Sequence, residues 1–301
     1  MSFLYGIRRM KRRVVQSISF FLHNGYLGFP FTKNLYTGPL KGLCAPGLNC
    51  YSCPASLFSC PLGVLQNLLS ASRVLNWQVL LGPFLYVLGF FLIFGLTLGR
   101  FICGWVCPFG LFQDLIYKIP FFKIRLSLPK RSQKYLKHLM LIGLVFFIPL
   151  FLGDEIGYGI LGFCKYLCPA GTLEAGYLNI IISSELWDYI GKLFYLKSAI
   201  LLVFVFFVVI DYRFFCKNVC PLGLIYGLFN KVSFLRLNVN LNRCTHCKAC
   251  EKICPVGLNP LEEINSVECI RCLNCVKICP HKAIYLEKGI YQNAISSSCS
   301  K

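Results

Sequence analysis

The sequence predicts an all-α polytopic membrane domain of about four transmembrane helices, internally duplicated, followed by a small α+β domain. Three observations carry this: apolar stretches of bilayer length, basic residues that fall on one side of them, and 19 cysteines gathered into regular runs. Of the 301 residues, 56% are hydrophobic and 14% charged, about half the charged share of a soluble globular domain. Such a composition excludes a disordered chain and argues against a wholly soluble one.

A helix needs about 20 apolar residues to cross a hydrocarbon core. Trp77–Leu98, Tyr135–Gly153 and Leu193–Ile210 meet that length, the last through the uncharged run ILLVFVFFVVI. Val14–Phe31 is expected as a first span, interrupted by His23, Asn24 and glycines. A surface-lying amphipathic helix is its alternative. Lys and Arg number five in residues 1–13, seven in 99–134 and twelve in 212–301, against three in 32–76 and two in 154–192. Basic loops stay cytoplasmic, so both termini are expected there in the cell membrane. The same asymmetry accounts for the formal charge of +19 without nucleic acid.

Near the C-terminus, CTHCKACEKICP and CIRCLNCVKICP each read C-x2-C-x2-C-x3-C-P, the bacterial ferredoxin run for [4Fe–4S] clusters. Three thiolates come from a tight loop and the fourth from the other run. The first cluster is therefore expected on Cys244, Cys247, Cys250 and Cys279, the second on Cys269, Cys272, Cys275 and Cys254. Zinc is the competing occupant of four cysteines. The small domain is then a two-cluster ferredoxin over 236–290, with a membrane domain over 1–235 and a tail over 291–301.

The segment RFICGWVCPFGLFQDLIYK (100–118) aligns without gaps to RFFCKNVCPLGLIYGLFNK (213–231), with ten of nineteen positions identical. Two related elements, CPASLFSCPLG (53–63) and CKYLCPAG (164–171), fall on the opposite side of the spans. The chain thus reads as a duplication of about 14–118 and 135–231. Each Cys-Pro-x-Gly sets proline in the first turn of a helix and cysteine at its N-terminus, where free amides favour a thiolate and lower its pKa. Duplication groups Cys103, Cys107, Cys216 and Cys220 on the inner side. It groups Cys50, Cys53, Cys60, Cys164 and Cys168, with Cys44 as a further candidate, on the outer side. One or two further iron–sulfur clusters, exchangeable thiol pairs, or structural disulfides and inert thiols are the three readings of these groups.

These motifs, RFICGWVCPFGLFQDL, NCYSCP with CPLGVLQ and the paired ferredoxin runs, resemble the membrane-bound polyferredoxins. That family includes the quinol-oxidising subunit of periplasmic nitrate reductase systems and membrane regulators of nitrous oxide respiration. The resemblance implies a membrane electron carrier that links a cytoplasmic or quinone pool to an acceptor. The chain departs in having four cysteine elements where the nitrate-reductase type implies two, and in starting without a flavin-binding domain.

The expected function is electron transfer between a cytoplasmic donor and a membrane or extracytoplasmic acceptor, with no substrate-converting site evident. Expected partners are the lipid bilayer, other redox subunits or a soluble donor, and quinone. A transmembrane thiol–disulfide relay and a redox-sensing or assembly subunit are the alternatives. His23 and His138 read as hydrogen-bonded or interfacial residues rather than haem ligands, and His246 and His281 as groups that tune the clusters. Asp211 reads as an interfacial cap; Asp114, whose repeat counterpart is Gly227, reads as outside the duplicated chemistry. Cys299 has no assigned role.

Overall fold

The computed structural model describes residues 11–123 and 130–289, with only the backbone of 130–134 and 288. Cys299, the tail 291–301 and the basic residues before Lys11 lie outside the described residues. The long helices follow the hydropathy closely. Trp77–Leu98 is one helix of 22 residues despite Pro83, and Lys192–Ile210 one of 19. Both are long and apolar enough to cross a membrane, and they are the two described helices that are. Their outward faces stay apolar, with Val79 65% and Leu202 67% exposed.

The third expected span is a composite: an α-helix over Lys130–Leu139, a π-helical stretch over Met140–Phe147, and a last α-turn over Ile148–Phe151. Pro149 explains the widening, because it lacks an N–H and crowds the carbonyl four residues back. The amide of Ile148 instead bonds the carbonyl of Gly143, five residues back.

The expected first span is not one helix. Arg12–His23 is an α-helix of 12 residues, about 18 Å long, and it stops at Asn24 before a separate turn over Phe29–Thr32. Its polar stripe faces the protein: the Gln16 amide donates to the Gly104 carbonyl at 3.2 Å and the Ser19 hydroxyl to the Val106 carbonyl at 2.7 Å. Ile18, Phe21 and Leu22 point away, exposed. The two ends of the helix have different neighbours. Arg12 bonds Asp114 and Tyr212, whereas the His23 carbonyl accepts from Leu57 of the 53–63 element.

Three of the Cys-Pro-x-Gly elements start an α-helix, as expected: Pro61–Ala71, Pro108–Ile116 and Pro221–Leu228 all have cysteine as N-cap and proline in the first turn. After Cys168 and Pro169 the chain enters a π-helical segment, Gly171–Tyr177. These helix starts converge. Cys60, Cys103, Cys107, Cys168 and Cys220 share one core with Leu48, Phe215 and Tyr226. The inner and outer elements therefore do not lie a bilayer apart: the Leu48 amide donates to Cys107 Sγ at 3.3 Å, and a Cβ on Gly47 would sit 2.7 Å from Cys107 Cα. Hydropathy marks where a chain enters the apolar layer. It does not say how closely the segments between the long helices approach one another.

Strands Leu235–Val239 and Ile284–Lys288 form an antiparallel pair with Leu237 opposite Leu286 and Val239 opposite Ile284. Between them lie both ferredoxin runs, each ending in a short helix, Ala249–Lys252 and Asn274–Ile278.

Candidate functional site

The two ferredoxin runs have the same backbone, 25 residues apart. His246 and Lys248 flank Cys247 with positive φ, and Arg271 and Leu273 flank Cys272 in the same way. Gly257 and Lys282 repeat the pattern after each Cys-Pro. Left-handed backbone costs a non-glycine residue roughly 1–2 kcal/mol, so four such residues in matched places mark loops held in shape by what they surround. The sulfur contacts also repeat: Leu258 donates to Cys254 Sγ at 3.4 Å and Ala283 to Cys279 Sγ at 3.2 Å.

Each run encloses a small cavity. One, of about 20 Å³, is lined by Cys244, Cys247, Cys250 and Cys279, with His246 and His281 at its wall. The other, of about 30 Å³, is lined by Cys254, Cys269, Cys272 and Cys275. These are the cross-paired sets of four, three from one run and one from the other. Among the described residues no three His, Cys, Asp or Glu side chains close on a single ion. The sulfurs surround a volume instead, which suits a cubane whose irons each take one thiolate.

In the inner group Cys103, Cys107, Cys216 and Cys220 are all buried. Gly223 donates to the Sγ of its own motif's Cys220 at 3.4 Å, and a Cβ on Gly110 would lie 3.0 Å from the Cys103 carbonyl and 3.2 Å from the Arg213 guanidinium. Gln113 donates to Cys216 Sγ at 3.0 Å. The expectation of a lowered thiol pKa is overturned here. Burial pushes the Cys103 thiol up to about 11, with Arg100 pulling against it, and raises Cys107 and Cys220 as well. Desolvation of the charged form outweighs the amides at the helix start.

The repeat arginines cross over. Arg100, at the head of the first inner element, donates to the Cys216 carbonyl at 2.6 Å; Arg213, its counterpart, donates to the Cys103 carbonyl. Both are fully buried. Asp114 binds Arg213 at 2.7 Å, and Arg12 at 3.0 Å. It therefore belongs to the duplicated site, contrary to the reading of the alignment alone. Burial works to raise its pKa, but Arg213 and Arg12 hold the carboxyl below the usual range. Where Asp114 has Gly227 as counterpart, the ferredoxin part supplies the acid: Glu268 binds Arg100 at 3.1 Å and also Lys137.

Glycines mark that docking. A Cβ on Gly104 would lie 2.4 Å from the Ile270 carbonyl, and one on Gly227 would lie 2.5 Å from the Val267 carbonyl. Trp105 donates from Nε1 to the Arg271 carbonyl at 3.1 Å, and Asn230 donates to the carbonyls of Ser266 and Cys269, each at 2.8 Å. The run that holds Cys269 and Cys272 thus sits directly on the inner element. Cys247 of the other run is exposed.

The outer cysteines separate into two sets. Cys50, Cys60, Cys164 and Cys168 line a cavity of about 280 Å³. Cys44 and Cys53 are buried elsewhere, with the Cys44 amide donating to the Tyr86 hydroxyl and Cys53 Sγ close to Asn24. Tyr226 is buried in the core that cysteines of both sets share. Glu174, buried beside the cavity, accepts from the Cys50 amide at 2.6 Å, and burial pushes its carboxyl up to about 8. None of the eighteen described cysteines is disulfide-bonded. His23 bonds Ser19 and packs edge-on to Phe58, as a hydrogen-bonded histidine.

Three family models match the chain. Two described as 4Fe-4S binding domain match residues 80–129 and 262–285, and one described as 4Fe-4S dicluster domain matches 214–258. The first of them covers Cys103 and Cys107, and together they support at least two [4Fe–4S] clusters. An uncharacterized protein of Methanocaldococcus jannaschii is 30% identical over 56% of this chain and 57% of its own. The methylamine utilization ferredoxin-type protein MauN of Methylorubrum extorquens is 28% identical over 64% of this chain and 59% of its own. The ferredoxin-type protein NapH of Haemophilus influenzae is 24% identical over 79% of this chain and 70% of its own. The chain thus spans less than two thirds of the length of the first two of these relatives. No solved structure matches it.

Proposed function

We propose, for a polyferredoxin-like chain that resembles NapH, that it conducts electrons from a ferredoxin domain into a membrane core through iron–sulfur clusters. The observation that carries this is the docking of the 269–275 run, which lines one four-cysteine cavity, onto the inner element that holds four more. Cys244, Cys247, Cys250 and Cys279 hold the first cluster, on the exposed side, where a soluble donor or a redox subunit reaches it. Cys254, Cys269, Cys272 and Cys275 hold the second, against the membrane part. Cys103, Cys107, Cys216 and Cys220 hold a third. Clusters supply the redox chemistry; the protein sets their spacing, potential and exclusion of water.

Charge supports the third cluster. Among the described residues, three buried cations, Arg100, Lys137 and Arg213, and the half-buried Arg12 share the two carboxylates of Asp114 and Glu268, so the inner site holds positive charge in excess. Buried charge is costly unless paired. A [4Fe–4S]2+ core on four thiolates carries a formal charge of about −2 and supplies the missing anion.

The membrane reading rests on the two long apolar helices, the outward apolar faces and the one-sided basic residues. It makes the chain multi-pass, with the ferredoxin part and both termini cytoplasmic, and leaves membrane quinone as a candidate exchange partner. The paired strands Leu235–Val239 and Ile284–Lys288 support domain limits near 235 and 290.

The test is iron and acid-labile sulfide on the anaerobically purified full chain. Cys216→Ser with Cys220→Ser should remove about four iron atoms per chain and leave the ferredoxin spectra in place. Unchanged iron, with thiols that alkylate and re-oxidise in pairs, would sink the third cluster and favour a thiol relay.

A further inference from the structure

We infer that the outer cavity is a fourth iron–sulfur site, ligated by Cys50, Cys60, Cys164 and Cys168, and that it forms the end of the path away from the ferredoxin domain. This rests on the electron-carrier reading above. All four thiols line one cavity, two contributed by each repeat, while Cys44 and Cys53 do not reach it. Cys60 and Cys168 occupy the same Cys-Pro-x-Gly position as Cys107 and Cys220, and the contact recurs: Gly171 donates to Cys168 Sγ at 3.4 Å, as Gly223 does to Cys220. A Cβ on Gly171 would lie 3.6 Å from Cys50 Sγ and 3.7 Å from Cys168 Sγ, so this glycine lies between two of the sulfurs.

The other two cysteines are held by side chains from the opposite repeat. Gln66, of the first repeat, accepts from the Cys164 amide at 3.0 Å; Glu174, of the second, accepts from the Cys50 amide at 2.6 Å. Both side chains are largely buried. This crossed support matches the crossed arginines of the inner group, and it positions the chain on either side of the cavity. Lys165 and Lys197 line the same space, Lys197 donating to the Cys164 carbonyl at 3.4 Å. The Lys197 ammonium suits an anionic cluster, as the arginines do inside, whereas Lys165 is exposed with its ammonium over the Tyr166 ring. The route inward is short: Leu48, two residues before Cys50, donates its amide to Cys107 Sγ.

The cavity is about 280 Å³ against 20 and 30 Å³ for the ferredoxin sites. It therefore has room beyond a cluster, along Tyr51 and Lys197, through which an electron acceptor approaches.

Native mass spectrometry of the anaerobic full-length protein in detergent counts the clusters directly. Four [4Fe–4S] units are expected, about sixteen iron atoms, and Cys164→Ser with Cys168→Ser should lose one unit, a quarter of the iron. Cys44→Ser should lose none. Three units in the wild type, with one lost on Cys216→Ser and Cys220→Ser, would overturn this site and leave the inner cluster standing. Two or fewer would overturn both. Four units that persist in the Cys164/Cys168 variant would also overturn it. If that variant does not fold, the wild-type count decides alone.

Discussion

Arg213 and Asp114 meet at 2.7 Å with neither exposed to solvent, and Arg12 shares the same carboxylate. Removing one partner of a buried pair leaves an uncompensated charge and costs about 3–5 kcal/mol. Asp114→Ala should lower stability by that order in denaturant unfolding, whereas Glu287→Ala, whose pair with Arg236 is partly exposed, should cost under about 1 kcal/mol. The alignment of 100–118 with 213–231 made both arginines visible as repeated residues. It could not show that each serves the other repeat, because a crossed bond leaves no trace in either copy alone. The same comparison set Asp114 aside for want of a counterpart; the counterpart is Glu268, outside the repeat, at the docked surface.

At the scale of elements, the ferredoxin motif was the most legible part. Its spacing alone named the two sets of four cysteines that the cavities enclose. The docking was not legible, since it depends on glycines that break the repeat. Gly104 faces Ile270 and Gly227 faces Val267. Gly104→Ala or Gly227→Ala should push the ferredoxin run off the inner element at a cost of about 1–3 kcal/mol. Reduction of the membrane part by a soluble donor should slow, with the ferredoxin clusters still loaded. The contact is also pH-dependent through Glu268. Burial tends to raise its pKa, but Arg100 and Lys137 hold it below the usual carboxylate value of 4.5. A depressed folded-state pKa stabilises above 4.5 and loses that contribution as pH falls through the lower value. Hydrogen exchange across residues 266–271 should therefore rise on acidification below about pH 4.5, and Glu268→Gln should abolish that step.

For the whole molecule, hydropathy located Trp77–Leu98 to the residue and Lys192–Ile210 to within one. It misjudged Val14–Phe31, because a polar stripe turned toward protein and an apolar face turned outward averages to a weak signal. It set the two cysteine groups on opposite sides without fixing how far apart they lie, and the 44–50 segment brings them into one core. Protease added to inside-out vesicles should cut the 236–290 region and leave it intact in right-side-out vesicles; the reverse would invert the proposed orientation. The crossed contacts have a consequence for how the protein is made. Among the described residues, Arg100 finds its acid only in Glu268, 168 residues later in the chain. Until the ribosome has passed that point, the membrane half holds a guanidinium with no carboxylate to answer it. The ferredoxin part is then the piece that closes the inner site, and under the proposed function iron that reaches the inner thiols before it docks would meet an uncovered site.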